Sequence, residues 1–217
     1  MNRQDAKAAK EGKKQSLATG PFFRHRTQLP SLAFLAPCRL KPCLVSVVWS
    51  TAIATVHPRI GHGFDLHRLE PGLPLVVGGE RLEHDRGCVA HSDGDVVYHA
   101  VTDAILGALG EEDIGQLFPD DDDANKNADS VRFVDEAVLK MRGRGYEIGN
   151  LDVTIILQRP KLSPHKADFR QNLAGLLGCA ADRVNVKGKT HEKVDALGEN
   201  RAIACHVVVM LVPDPQA

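Results

Sequence analysis

The chain has 217 residues, of which 43% are hydrophobic and 25% are charged, enough for one substantial domain with a buried core. Residues 1–57 carry nine Lys and Arg against two Asp and Glu, whereas residues 58–217 carry eighteen against twenty-six. A basic leader on an acidic domain argues against nucleic-acid binding by the domain itself.

Residues 1–57 have the composition of an organelle transit peptide, being rich in Ala, Ser, Thr, Lys and Arg and poor in acids. The apolar run from Leu44 to Val56 is too short to span a bilayer, so we expect no membrane partner. A secretory signal is a weaker alternative because this run lies late in the leader. A disordered tail or a wrongly assigned gene start also remains open. We place the folded domain at 58–217.

The five cysteines include no CxxC pair, and their odd number and wide spacing favour a reducing compartment over a disulfide scaffold. Cys38 and Cys43 have no second pair to complete a metal site. We expect Cys88, Cys179 and Cys205 in or near the core.

The domain begins with a strand predicted over 59–66, followed by a short apolar strand over 75–79 and a hairpin return at 81–82. A helix then begins near Asp95, with Ser92 or Asp93 as its N-cap and Gly110 as its end. Its apolar side chains keep helical spacing: Val97, Val101, Ala104 and Ala108.

Strands and helices continue to alternate along the rest of the chain. The pattern predicts a helix over 129–141, a strand over 151–157, a helix over 164–177 ending at Gly178, and strands over 184–187 and 202–212. Interleaved elements of this kind indicate an α/β or α+β domain whose helices cover one face of a sheet.

The end of the first strand carries the first chemical signal. Asp65 and His67 alternate along the strand, so both side chains project to one face, where they suit a zinc-like ion. We expect His99, on the following helix, to be the third ligand. Asp103 lies one helical turn further on the same face and is predicted to orient the His99 imidazole. Three ligands leave a fourth metal position open.

Five motifs extend this pattern over the whole domain. They are RIGHGFDLH at 59–67, AHSDGDVVYH at 90–99, DIGQLFPD at 113–120, DVTIILQRPK at 152–161 and NVKGKTHEK at 185–193. With them, residues 59–212 resemble the 2-C-methyl-D-erythritol 2,4-cyclodiphosphate synthase family of the non-mevalonate isoprenoid pathway. Many bacterial members carry an Arg-x-Glu arrangement near the C-terminus. Residues 197–201, LGENR, are instead similar to plastid-type members, which leaves open whether Arg201 contacts a phosphate.

The resemblance implies a four-stranded sheet with helices on one face, a ferredoxin-like-type unit. It also implies a homotrimer with active sites between subunits. The implied reaction closes a CDP-linked methylerythritol 2-phosphate into a cyclic diphosphate and releases CMP. Zn²⁺ would bind Asp65, His67 and His99, and Mg²⁺ or Mn²⁺ would bind the diphosphate. The plastid is the implied location after leader removal, and otherwise the protein would be soluble and cytoplasmic.

The resemblance also assigns roles to residues. His91 and Thr190 match a catalytic pair that stabilises the transition state, and Glu192 matches a carboxylate that holds the second ion. Substrate contacts are implied for Asp65, His67, His91, Ser92, Asp113, Ile114, Gly115, Phe118, Pro119, Asp120, Asp121, Asp122, Leu157, Gln158, Arg159, Pro160, Lys161, Leu162, Ser163, Lys189, Thr190, His191 and Glu192. Solvent-facing acids are an equal alternative for the aspartate run at 121–123.

Two other functions remain open from the sequence. A metal-dependent phosphoesterase needs the same ligands, but it does not explain the match at 157–163 to a cytidine pocket. A non-enzymatic fold that keeps a structural zinc predicts a closed site with four protein ligands, whereas only three are found.

Overall fold

The computed structural model describes residues 57–119 and 128–217, so the predicted leader up to residue 56 and Asp120 to Asp122 lie outside the described residues. The strands are β1 (Arg59–Pro71), β2 (Leu75–Val77), β3 (Glu80–Leu82), β4 (Arg86–Val89), β5 (Tyr146–Ile156), β6 (Val184–Lys189) and β7 (Ala202–Pro213). The α-helices are α1 (Val96–Leu109), α2 (Ile114–Leu117), α3 (Val131–Gly143), α4 (Lys166–Leu177) and α5 (Asp195–Gly198). None of these helices has the length and apolar character needed to cross a membrane.

The main sheet has five strands in the order β4-β1-β7-β5-β6. Only the β5–β6 pair is parallel, and β2 and β3 form a separate hairpin. The mixed α/β class is confirmed, but the expectation of four strands was wrong. The extra strand is β4, which pairs with the end of β1 from Arg68 to Pro71 and so extends β1 beyond the predicted residue 66.

One face of the sheet carries the core. Alternate residues of β7, including Cys205, Val207 and Val209, are fully buried beneath the helices. Their neighbours Val208 and Met210 are 46% and 36% exposed on the opposite face. Helices therefore cover one face, as the sequence predicts, and leave much of the other open.

The first long helix sits unusually close to β1. A Cβ built on Gly63 would lie 1.8 Å from the backbone oxygen of Ala100, and one built on Gly61 would lie 1.8 Å from that of Ala104. Any side chain at either glycine would therefore push α1 away from the strand. The two glycines of the GHG motif set the distance between β1 and α1, and with it the position of His99.

The start of α1 differs from the prediction. Its N-cap is Asp95 rather than Ser92 or Asp93, and the Asp95 carboxylate accepts hydrogen bonds from the amides of Val97 and Tyr98. It also accepts from the Gly78 and Gly79 amides at 2.9 and 2.7 Å. One buried carboxylate thus joins the β2–β3 hairpin to α1. The predicted helix ends at Gly110 and Gly178 are confirmed, since both glycines adopt the left-handed conformation.

The expected positions of three cysteines are confirmed. Cys88 and Cys205 are buried, and Cys179 is partly buried. Burial raises the pKa of the Cys88 thiol to about 12. Cys88 therefore stays protonated near neutral pH, which is unlike a nucleophilic or metal-ligating cysteine.

Candidate active site

Asp65, His67 and His99, here called the metal trio, converge at the β1–α1 contact. Asp65 Oδ2 lies 3.0 Å from His67 Nε2 and 2.9 Å from His99 Nδ1. The two imidazole nitrogens lie 3.1 Å apart. Among the described residues, this is the one group of three such side chains placed to hold a metal ion.

The geometry of the metal trio suits a tetrahedral ion. Zinc bonds of about 2.0–2.1 Å would place two tetrahedral ligand atoms roughly 3.3 Å apart. The three measured separations, 2.9, 3.0 and 3.1 Å, approach one triangular face of such a tetrahedron. Two nitrogens and one carboxylate oxygen are a donor set that zinc accepts. The residues therefore fit a divalent ion with one remaining coordination position.

The surroundings of Asp65 keep its carboxylate charged and fix its orientation. Burial raises its pKa, but hydrogen bonds and charge interactions with His67 and His99 outweigh that effect, so the net pKa lies well below the usual range. The other carboxylate oxygen, Oδ1, accepts a hydrogen bond from the Leu66 amide at 2.8 Å, which turns Oδ2 toward the imidazoles. The carboxylate is ionised at neutral pH and aimed at the metal position.

The prediction that Asp103 orients His99 was wrong. Asp103 Oδ1 instead accepts a hydrogen bond from the Ile114 amide at 2.8 Å and so fixes the start of α2. The Nε2 atom of His99 faces two serine hydroxyls, Ser92 Oγ at 3.0 Å and Ser130 Oγ at 2.9 Å. The helical spacing of Asp103 is right for a partner of His99, but tertiary contacts direct its side chain elsewhere.

The predicted substrate segment at 113–119 packs near the metal trio. The Phe118 ring lies 4.6 Å from the Phe133 ring, and Phe133 in turn lies 5.7 Å from the His99 imidazole. Asp113 caps α2 by accepting a hydrogen bond from the Gln116 amide. The structure thus brings 113–118 to the same side of the molecule as His99.

A second group of predicted residues lines a cavity of about 430 Å³ beyond the end of β5, here called the β5–β6 cavity. Its lining comprises Leu157, Gln158, Arg159, Pro160, Lys161, Leu162, Ser163, Lys166, Gly188, Lys189 and Thr190. The sequence predicted all of these except Lys166 and Gly188. Gly188 belongs to a quoted motif, and a Cβ there would lie 3.3 Å from Leu162 Cβ, so its role is to admit Leu162.

The turn after β6 gathers the remaining predicted residues. Thr190 Oγ1 donates to Glu192 Oε1 at 2.8 Å, and His191 Nδ1 lies 2.9 Å from Asp195 Oδ2. Glu192, Lys193 and Asp195 all have positive φ angles, between 48° and 64°. Several non-glycine residues in this strained conformation within one turn are typical of a functional loop.

The two groups of residues remain apart within one chain. The β5–β6 cavity includes no member of the metal trio among its lining residues. In the sheet, Leu66 and Ile156 both pair with Ala204, from opposite sides, so β7 lies between the metal-bearing strand and the strand that ends at the cavity. His91 lies in an exposed loop after β4.

The folded domain matches a known protein family. The model of the YgbB family matches residues 58–212. A relative from Oryza sativa subsp. japonica, named 2-C-methyl-D-erythritol 2,4-cyclodiphosphate synthase, chloroplastic, is 54% identical over 208 residues, or 90% of this chain and 94% of the relative. A synthase of the same enzyme name from Proteus mirabilis is 51% identical over 156 residues, or 72% of this chain and 98% of the relative.

A solved structure described as IspF (Plasmodium falciparum) CDP complex has a TM-score of 0.65 and 37% identity, covering 73% of this chain and 97% of that one. The match therefore extends from the five motifs to the fold and to nearly the whole length of these proteins. The metal trio and the β5–β6 cavity both fall within the matched residues. On this evidence the chain belongs to the YgbB family.

Proposed function

We propose that this chain converts 4-diphosphocytidyl-2-C-methyl-D-erythritol 2-phosphate into 2-C-methyl-D-erythritol 2,4-cyclodiphosphate and CMP. The observation that carries the proposal is the triangle formed by Asp65 Oδ2, His67 Nε2 and His99 Nδ1, in a chain similar to synthases of that name. The similar structure from Plasmodium falciparum is described as a CDP complex.

The reaction is an intramolecular phosphoryl transfer. An oxygen of the 2-phosphate attacks the β-phosphorus, the bond from that phosphorus to the oxygen bridging to the α-phosphate breaks, and CMP leaves with the electron pair. One phosphoanhydride bond forms as another breaks, so no water is consumed. Such a transfer needs fixed geometry and neutralised charge more than a covalent nucleophile on the protein.

The metal trio would provide the neutralised charge. A divalent ion bound there would supply positive charge beside a β-phosphate oxygen through its open position. We propose Zn²⁺ for this position because two imidazoles and a carboxylate suit it. The side chains of His67 and His99 are only 15% and 12% exposed, so little water competes for the ligand atoms.

The β5–β6 cavity is proposed to receive the cytidine end of the substrate. Its lining includes the apolar residues Leu157, Pro160 and Leu162, and the exposed Lys161 and Lys189 add positive charge. Its volume, about 430 Å³, lies within the usual range of small-molecule sites. Lysine ammonium groups at this position suit the α-phosphate of the leaving CMP.

His91 and Thr190 are proposed to hydrogen-bond phosphate oxygens as charge shifts toward CMP. Thr190 is an exposed residue that lines the β5–β6 cavity, and its hydroxyl donates to Glu192 Oε1. Glu192 is proposed to help hold Mg²⁺ or Mn²⁺ between the α- and β-phosphates, since hard cations prefer carboxylate and phosphate oxygens. The side chains of Thr190 and Glu192 are exposed, so they are accessible to the substrate phosphates and to the metal ion.

A homotrimer with active sites between subunits is proposed from two observations. The metal trio and the β5–β6 cavity do not share a lining residue within one chain. In addition, the open sheet face presents large apolar side chains that are costly to leave in water, with Ile60 74%, Phe64 47% and Leu66 48% exposed. Packing of this face against other copies would bury it.

We also propose that residues 1–57 direct the domain at 58–217 to the plastid. The rice relative named chloroplastic matches 90% of this chain, more than residues 58–217 can provide, so its similarity reaches into the basic segment. A relative from Arabidopsis thaliana, 62% identical over 167 residues, is also named chloroplastic.

Phosphorus NMR tests the proposed reaction directly. The purified protein, incubated with the CDP-methylerythritol phosphate and Mg²⁺, should produce two coupled cyclic diphosphate resonances together with CMP. A metal-dependent phosphoesterase would instead produce a linear phosphate, and that product would overturn the proposal.

A further inference from the structure

Ser130 lies behind the metal trio, on the side of His99 that faces away from the other two ligands. Its residue exposure is 0%, and its Oγ lies 2.9 Å from His99 Nε2. The other ring nitrogen, Nδ1, lies 2.9 Å from Asp65 Oδ2 and 3.1 Å from His67 Nε2. The two nitrogens of one imidazole therefore face two different environments, a metal position and a buried hydroxyl.

A serine at this point of the sequence would ordinarily cap a helix. Ser130 occupies the N-cap position of α3, but its side chain makes no capping hydrogen bond. Its hydroxyl instead lies 2.5 Å from Asp93 Oδ1, and its backbone amide donates to Asp93 Oδ2 at 3.2 Å. Ser130 therefore does not cap α3 with its side chain and instead contacts residues more than thirty positions away in the sequence.

The chemistry of these groups fixes the direction of each hydrogen bond. An ionised carboxylate only accepts, so the Ser130 hydroxyl donates its proton to Asp93. The Ser130 oxygen then has a lone pair for the N–H of His99 Nε2. With the ring proton on Nε2, the Nδ1 lone pair is available to an ion held together with Asp65 and His67. This is the tautomer that a metal ion at the trio requires.

We infer that Ser130, held by Asp93, is a positioning residue that fixes the tautomer and orientation of His99 for metal binding. Ser92 Oγ also lies 3.0 Å from His99 Nε2, but Ser92 is partly exposed and is proposed to contact substrate. Ser130 is buried and has a carboxylate partner, so it keeps its bond to the imidazole when substrate engages Ser92. The inference rests on the proposed metal site.

The same contacts join the metal ligand to the loop that carries His91. The Asp93 amide donates to the Ala128 backbone oxygen at 3.1 Å, which adds to the two bonds from Ser130 to the Asp93 carboxylate. The loop at 91–94, the chain just before α3 and the His99 ring thus form one hydrogen-bonded unit. Loss of Ser130 should disturb both the metal ligand and the placement of His91.

The first test measures Zn²⁺ affinity of the full-length protein by competition with a coloured chelator. Ser130→Ala should bind Zn²⁺ roughly 10–100-fold more weakly than wild type, the range found when a hydrogen-bond partner of a metal ligand is removed. Thr102→Val is the matched control. Thr102 is also fully buried, and its hydroxyl donates to the Tyr98 backbone oxygen at 2.8 Å within α1, so its loss should leave Zn²⁺ affinity unchanged.

The second test reads the His99 tautomer in Zn²⁺-loaded wild-type protein. With ¹⁵N-labelled histidine, long-range ¹H–¹⁵N spectra should show the ring proton on Nε2 and none on Nδ1. If Ser130→Ala does not fold, Ser130→Gly takes its place in the affinity test, because glycine also removes the hydroxyl and is accepted at a helix N-cap. This variant should also bind Zn²⁺ more weakly than wild type.

The outcomes separate this inference from the proposed metal site. If wild-type protein does not bind Zn²⁺ at the trio, the metal site is wrong. If wild-type and Ser130→Ala proteins bind Zn²⁺ equally well, or if Zn²⁺-loaded His99 carries its proton on Nδ1, Ser130 has no positioning role and this inference alone is overturned.

Discussion

The metal trio and the β5–β6 cavity are built by different means. The metal trio lies where a strand and a helix pack so closely that only glycine fits between them, at Gly61 and Gly63. The β5–β6 cavity lies beyond the ends of two strands and is completed by an exposed turn in which Glu192 and Lys193 have positive φ angles. Rigid packing positions the groups that hold an ion, whereas strand ends and turns form the surface proposed to recognise the substrate.

This difference predicts the largest effect for a change at the β1–α1 contact. Gly63→Ala would place a methyl group 1.8 Å from the Ala100 oxygen, so α1 must move and His99 with it. We expect a loss of more than about 3 kcal/mol in the free energy of unfolding, beyond ordinary overpacking, and loss of bound zinc. Urea unfolding and metal analysis of the same preparation measure both.

The control for this change is Gly175→Ala on α4, where an added Cβ has no atom within 4 Å. That variant should gain about 0.5–1 kcal/mol, since alanine favours a helix over glycine. Wild-type stability and zinc content in Gly63→Ala would contradict the account of the close contact.

The second prediction removes one ligand and leaves the packing in place. His99→Ala leaves Asp65 and His67 as the only protein ligands, so Zn²⁺ affinity should fall at least by the roughly 10–100-fold that loss of a supporting partner causes. Metal analysis after dialysis against a weak chelator measures the change. His165→Ala, outside the metal trio, is the control, and equal zinc in His99→Ala and wild type would remove His99 from the ligand set.

The third prediction concerns the exposed turn. Thr190→Val removes a donor proposed to act in the transition state, which should cost about 2.7–4 kcal/mol, or roughly 10²–10³ in turnover. Because Thr190 is exposed and valine keeps its shape, the melting temperature should change little. Thr154→Val on β5 serves as the control. A lowered melting temperature with nearly normal turnover would show that Thr190 is structural.

The smallest effect is expected at the amino terminus. The family match begins at residue 58, so a chain that starts at Pro58 should fold and keep full activity. Calorimetry and a turnover assay on both lengths test this. Loss of the cooperative melting transition on shortening would show that residues 1–57 are part of the fold.

The sequence predicted the metal trio because its signals are local. Asp65 and His67 alternate on one strand, and His99 lies on a helix with clear apolar spacing, so pattern alone places them. The sequence also contained the reason for the close contact, since Gly61 and Gly63 occur in the same motif. What it could not show is that these glycines face Ala104 and Ala100 where α1 packs on β1.

Features that depend on distant partners were missed. The four residues of β4 include a glycine and show no alternation, and they form a strand by pairing with the end of β1. Asp103 was assigned to His99 by helical spacing, but the Ile114 amide takes its carboxylate. Ser130 falls at the start of the helix predicted over 129–141, and only the fold shows that its hydroxyl contacts His99 and Asp93.

In the proposed reaction, this chain joins two phosphates of one substrate without using water. The reaction can be run in ¹⁸O-labelled water and both products analysed by mass spectrometry. The cyclic diphosphate and CMP should both lack ¹⁸O. Label in CMP, or in a linear methylerythritol phosphate, would show that water attacks phosphorus and that the protein is a hydrolase.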